Sequence, residues 1–229
     1  MSFDAALRVT EILLALAFLQ QCSEHILGSA AARGLFMLRA GLSLLLLFGF
    51  YSPWVLLALS LHSIFVLHRF DGPYNGGSDR MGLLILYCLC LARLLPEGLA
   101  REAAFGYLGV QVVLSYFISG WVKIVNPDWR SGRALRDVFG FSAYPVSENL
   151  RGFATRPWLL WAMAWAVMGF EVVFPLALLH PAGLVAALSV AALFHLANAC
   201  LFGLNRFLWF WIASYPSILW VQGRLMQGI

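Results

Sequence analysis

The stretch SYFISGWVKIVNPDW, residues 115–129, closes a long apolar segment. Asn126-Pro127 should end a helix there, because proline disfavours helical geometry in the residue before it. Since about 20 apolar residues cross the roughly 30 Å hydrocarbon core of a bilayer, the segment 103–125 predicts a membrane-spanning helix. Near its end stands Lys123, the single lysine of a sequence with fourteen arginines.

The composition extends this prediction to the whole chain. Hydrophobic residues make up 62% and charged residues 11%, whereas soluble domains carry about 25% charged residues. Residues 1–229 therefore predict one transmembrane domain, with no room for a separate soluble domain. The formal charge of +4 comes from arginines that lie between apolar runs, so we expect the partner to be the lipid bilayer and not a nucleic acid.

The apolar runs predict an all-α, polytopic membrane helical bundle with about seven to eight transmembrane helices. The first run has no signal-peptide cleavage site, and we expect it to stay as a span. The candidate spans are 6–27, 34–50, 53–68, 79–96, 103–125, 157–179, 182–203 and 206–222.

The longest connection, residues 126–156, predicts an amphipathic helix that lies in the membrane interface. Arg130, Arg133 and Arg136 alternate there with apolar residues that include Trp129, which is the pattern of an interfacial helix. Arginines near span ends concentrate on the side of this connection, so with eight spans the positive-inside rule places it in the cytoplasm. One span more or fewer before it would reverse this orientation. We expect a multi-pass protein of a bacterial inner membrane.

Lys123 is the last member of a polar stripe on the fifth span. Gln111, Ser115, Ser119 and Lys123 recur every four residues, and Tyr116 lies beside them, so they share one helix face. Lys123 could reach the headgroups from this depth. Alternatively it could act as a base, since a desolvated lysine can lose its proton and an arginine effectively cannot.

Other polar residues inside the spans are candidates for a binding pocket, because an ionisable group in a membrane is costly. Glu171 needs a partner or a proton. Either it forms a structural hydrogen bond to another helix, or it belongs to a buried site in which Lys123 or a histidine is its partner. His195 and Asn198, three residues apart, suit interhelical hydrogen bonding or the lining of a cavity. His62 is the remaining candidate within a span. The histidine spacing predicts no metal site.

The connection 68–80 contains YNGGSD, residues 74–79. Its backbone N–H groups could form an anion-binding nest. The alternative is a tight turn in which Asp79 caps the fourth span.

Residues 116–135, YFISGWVKIVNPDWRSGRAL, resemble the hallmark segment of the horizontally transferred transmembrane (HTTM) family, which includes the membrane part of vitamin K-dependent γ-carboxylases. The matching residues are Tyr116, Gly120, Lys123, Trp129 and Gly132, with one extra residue between the lysine and the tryptophan. NGGSDRMGLLILY, FEVVFPLALL and FHLANACLFGLNRF also resemble family segments, in the right order.

The resemblance implies that Lys123 is a base and that the cofactor is a quinone or hydroquinone, because a carboxylase lysine in this segment is taken to deprotonate the reduced quinone. The carboxylase also has a large soluble portion after its membrane part, and none follows residue 229 here. We therefore do not expect full carboxylase activity.

Two functions remain open. In the first, a pocket formed by Lys123, Tyr116, Glu171, His195 and the loop ending at Asp79 binds a quinone-like or lipid molecule, and Lys123 acts as base. In the second, the chain is a non-catalytic membrane subunit or maturation factor that docks a partner membrane protein or peptide. Transport is less favoured, since no internal repeat is evident.

Overall fold

A computed structural model describes residues 1–28, 33–69, 76–141 and 148–228, and within these ranges the secondary structure is entirely helical. Eight long helices coincide with the eight predicted spans. Their bounds are α1 Phe3–Gly28, α2 Arg33–Phe48, α3 Ser52–Arg69, α4 Gly76–Leu94, α5 Leu99–Val125, α9 Pro157–Val173, α10 Pro181–Phe202 and α11 Asn205–Gln227. The short helices are α6 Pro127–Arg130, α7 Arg133–Phe141 and α8 Glu148–Arg151.

Three segments among the described residues are long and apolar enough to cross a membrane: Leu99–Val125, Pro157–Leu179 and Pro181–Phe202. The second of them joins α9 to a 3₁₀ turn, Phe174–Leu179. Pro175 lies at the start of that turn and cannot donate the backbone hydrogen bond that would continue the α-helix.

The chain divides into two compact units, residues 1–110 with 206–229, and residues 111–205. In the first unit, α1 packs on α2 and α4, and α3 packs on both α2 and α4. Glu11 of α1 is fully buried there and forms ion pairs with Arg8 and Arg93.

The helix end predicted at Asn126-Pro127 is confirmed. α5 ends at Val125, and the Asn126 side chain caps α6 by accepting a hydrogen bond from the Asp128 N–H at 2.9 Å. The predicted amphipathic helix, however, is interrupted between α6 and α7 at Gly132, whose φ of +77° is left-handed. A Cβ at this glycine would lie 2.9 Å from the Trp161 backbone nitrogen, so a close contact with α9 fixes the break.

The predicted two-sided character of α7 is confirmed. Phe139 is buried against Leu160 and Phe202, and its ring centroid lies 5.0 Å from that of Phe202. Arg133 and Arg136 lie on the exposed side of the helix. This segment therefore has an apolar face packed in the second unit and a basic outer face.

Candidate functional site

Lys123 of α5 forms an ion pair with Glu171 of α9. Lys123 Nζ donates to Glu171 Oε2 at 2.6 Å, to Glu171 Oε1 at 2.8 Å and to Ser119 Oγ at 2.6 Å. These three acceptors satisfy all three N–H donors of the ammonium group. Glu171 is 3% exposed, so its charge is buried. Lys123 is therefore the partner that a buried glutamate requires.

The two helices approach closely at Gly120, one turn before Lys123. A Cβ at this position would lie 2.8 Å from both the Glu171 Cβ and the Val172 backbone nitrogen. Only glycine leaves room for α9 here. The period of the helix places Tyr116, Ser119, Gly120 and Lys123 on one side of α5, so the close approach brings this side against Glu171.

Gly120→Ala should therefore destabilise the protein. The added methyl meets backbone as well as side-chain atoms, and overpacking of this kind costs about 1–3 kcal/mol. Thermal unfolding of the purified protein checks this expectation. Gly169→Ala is the matched control, because nothing lies within 4 Å of a Cβ there. Equal melting temperatures for the two variants would show that the contact at Gly120 does not constrain the helices.

A second polar pair lies one turn earlier on the same side of α5. The Tyr116 hydroxyl lies 2.9 Å from His195 Nε2 of α10, and both residues are buried. The Tyr116 ring stacks on Phe174, with centroids 4.2 Å apart, and meets the edge of Phe170 at 6.1 Å. Since Phe170 immediately precedes Glu171, the tyrosine–histidine pair and the lysine–glutamate pair are neighbours along α9.

Trp129 adds a cation–π contact to the lysine, with Lys123 Nζ 5.3 Å from the centre of its ring. Trp165 of α9 donates from Nε1 to the Arg130 carbonyl oxygen at 3.2 Å. Arg133 forms an ion pair with Asp128, and Arg136 lies 3.4 Å from Asp137. The predicted interfacial residues thus hold the end of α5 against α9, while the arginine side chains stay outside the ion pair.

The other candidates do not join these pairs. Asn198 is half-buried, and its side chain has no hydrogen bond to the described part of the chain. His62 Nε2 lies 3.0 Å from the Leu35 carbonyl oxygen in the first unit. Asp79 also belongs to that unit, where it accepts from Gln21 Nε2 at 2.9 Å.

The expected capping role of Asp79 is wrong. Helix α4 begins at Gly76, so Asp79 lies in its first turn and its side chain points to another helix. The proposed YNGGSD nest begins at residues 74–75, which lie outside the described residues.

Sequence reasoning missed the buried charges of the first unit. Glu11 is 0% exposed and Arg39 is 3% exposed. Both stand inside apolar runs, so the rule that selected Glu171 would also have selected them. Among the described residues, no group of three His, Cys, Asp or Glu side chains could hold a metal ion.

The described residues are all helical, and three of their segments are long and apolar enough to cross a membrane, so the class is an all-helical membrane protein. A family model described as the HTTM domain matches residues 104–221, more than half of the chain. The chain therefore belongs to the HTTM family, as its motif segments indicated. Neither the curated proteins nor the solved structures include a match to this chain.

Proposed function

We propose that this protein is a multi-pass inner-membrane protein that binds a quinone-like amphiphile beside Lys123, and that Lys123 is the base that removes a proton from it. The observation that carries the proposal is the contact of 2.6 Å between Lys123 Nζ and Glu171 Oε2. A buried acid and a base that are already in hydrogen-bond contact can exchange a proton without another group having to move into place.

The proton transfer needs only these two residues to begin. The Lys123 ammonium passes a proton to Glu171 Oε2, which leaves a neutral amine and a neutral carboxylic acid. The amine lone pair can then accept a proton from an acidic hydroxyl beside it. Lys123 becomes an ammonium group again, the ligand is left as an anion, and Glu171 holds one proton until it gives that proton to the anion or to the product formed from it. Ser119 Oγ lies 2.6 Å from Nζ and keeps the amine oriented throughout.

The surrounding residues fit a flat, weakly acidic ligand. The Tyr116 hydroxyl and the His195 imidazole lie close together, and the rings of Phe170 and Phe174 pack against Tyr116 beside the ion pair. Aromatic walls with few polar groups are typical of small-molecule sites. When bound, a reduced quinone supplies a weakly acidic hydroxyl and electrons that molecular oxygen can take up.

Ligand binding tests this proposal. A naphthohydroquinone, titrated anaerobically into the protein in lipid nanodiscs, should quench tryptophan fluorescence saturably. Tyr116→Phe should weaken binding about fivefold, since a lost hydrogen bond costs about 1 kcal/mol. Tyr107→Phe is the control, because Tyr107 lies on the same helix and is 54% exposed. Quenching that rises linearly, as in empty nanodiscs, would refute the site.

A second candidate function is favoured by the outer surface of α9. Trp158, Trp161 and Trp165 lie at helical spacing and are 73%, 52% and 39% exposed. Large aromatic residues are enriched in the central contacts of protein interfaces. The corresponding proposal is a non-catalytic subunit or maturation factor that docks a partner membrane protein or peptide along α9.

Purification in a mild detergent separates the two functions. Docking predicts that a second membrane protein co-purifies with the wild type and is lost from Trp158→Ala/Trp161→Ala, while Lys123→Arg retains it. The base hypothesis predicts instead that deprotonation of the ligand depends on Lys123 and not on the two tryptophans. A chain that is recovered alone counts against docking.

A further inference from the structure

A buried arginine in the first unit has only neutral hydrogen-bond partners. Arg39 of α2 is 3% exposed. Its Nη1 donates to Gln21 Oε1 at 2.6 Å and its Nη2 donates to Ser63 Oγ at 2.8 Å. An amide and a hydroxyl satisfy donors but do not neutralise the positive charge. A buried charge without an ionic partner is strongly disfavoured.

The nearby carboxylates are held by other groups. Asp79 Oδ1 accepts from Gln21 Nε2 at 2.9 Å and lies 4.0 Å from Arg206 Nη1. Glu24 Oε2 accepts from Arg206 Nε at 2.8 Å. Within the described residues, Arg39 has no carboxylate oxygen within ion-pair distance, whereas Arg206 has two carboxylate neighbours. The positive charge of Arg39 is therefore the one left without direct compensation in this cluster.

The remaining donor of Arg39 marks where a ligand would bind. Arg39 Nε is buried and has no hydrogen-bond partner among the described residues. Arg39 lines a cavity in the first unit, together with Phe18, His25, Phe36, Asp79 and Arg206. The guanidinium lies against two aromatic rings, 4.9 Å from the centre of Phe18 and 5.7 Å from that of Phe36. These rings stabilise the cation but accept no conventional hydrogen bond from Nε.

The size of the cavity limits what can enter. Its volume is about 20 Å³, which leaves room for one water molecule or a small ion. Arg39, Arg206 and Asp79 line the cavity, and Arg206 is paired with Glu24 at 2.8 Å, so Arg39 is the lining arginine without a carboxylate in direct contact. A small anion would fit this volume, neutralise the Arg39 guanidinium and accept the hydrogen bond from Arg39 Nε.

We propose that this cavity binds a small monoanion, of the size of chloride or formate, on the Arg39 guanidinium. The anion would accept the Nε hydrogen bond and neutralise the buried charge, which water cannot do. This site lies in the first unit and uses none of the residues of the Lys123 pair. Its failure in an experiment would therefore leave the proposed base untouched, and the converse also holds.

Anion-dependent stability tests the proposal. Unfolding temperature would be measured for the protein in nanodiscs while chloride, and separately formate, replaces the much larger gluconate at constant ionic strength. We expect a saturable rise of several degrees with at least one small anion, because a ligand that binds only the folded state stabilises it. The anion that binds more tightly indicates the chemical class of the natural ligand, a halide or a carboxylate.

Two variants on the same helix make the test specific. Arg39→Gln should lose the dependence on the small anion. Arg33→Gln removes the same charge from an exposed position on α2 and should retain the full response. If Arg39→Gln does not fold, equilibrium dialysis of wild type against radiolabelled chloride and radiolabelled formate decides the matter. Saturable uptake that gluconate fails to displace supports the site. The proposal is overturned if the unfolding temperature does not change when chloride or formate replaces gluconate, or if neither ion shows saturable uptake.

Discussion

Lys123→Arg is expected to remove the proposed base activity while leaving the protein folded. A positioned general base contributes about 10²–10⁴-fold to a rate, so oxygen consumption with a naphthohydroquinone should fall by that factor. Arginine keeps the positive charge opposite Glu171, but its guanidinium effectively never loses a proton. The measurement is oxygen uptake by the protein in nanodiscs, corrected for uncatalysed oxidation.

The control for this prediction is Arg130→Lys, which makes the reverse exchange at an exposed position outside the ion pair. It should leave the rate unchanged. Unfolding temperatures close to wild type for both variants would confirm that neither exchange acts through the fold. Full oxygen uptake by Lys123→Arg would refute the role of Lys123 as base, whatever ligand is bound.

Breaking the lysine–glutamate pair from one side should have the largest effect on stability. Removing one partner of a buried pair leaves an uncompensated charge and costs about 3–5 kcal/mol. Lys123→Met should cost more than Glu171→Leu, because Glu171 is only 4% exposed in its side chain whereas Lys123 is 17% exposed and near a helix end. A stranded lysine can extend toward the headgroups, and a stranded Glu171 cannot.

The double variant Lys123→Met/Glu171→Leu should regain most of the lost stability, because an apolar pair of similar volume replaces both charges. Equilibrium unfolding in mixed detergent micelles measures all four proteins, and the double-mutant cycle isolates the coupling free energy. Additive effects of the two single substitutions would mean that the residues do not stabilise one another. The ion pair would then have no energetic role in the fold.

The helices were predictable because the local signals were strong. Long apolar runs define the eight major helices, and Pro127 marks the end of α5 in the sequence itself. The break at Gly132 was not predictable, since it depends on the backbone of Trp161, a residue distant in sequence. Among the described residues, three segments have the length and apolarity that a membrane span requires, fewer than the seven to eight predicted from the apolar runs.

The sequence predicts which residues belong to the site better than it predicts which of them contact each other. An intramembrane glutamate requires a partner, and the sequence predicts Lys123 in the same pocket as Glu171. The pairing of Tyr116 with His195 depends on how α5 and α10 face each other, which no spacing within one helix encodes. Asp79 and His62 were grouped with the pocket because they are polar, but their contacts lie in the first unit.

Because Lys123 is the only lysine, nitrogen-15 labelling of lysine side chains gives one resonance that reports the proposed base alone. The most direct measurement follows this resonance in wild type and Glu171→Gln, with and without a naphthohydroquinone. We predict a signal that differs between the two proteins and that moves in wild type when the ligand is added. A signal that is identical in both proteins and unaffected by the ligand would contradict the account.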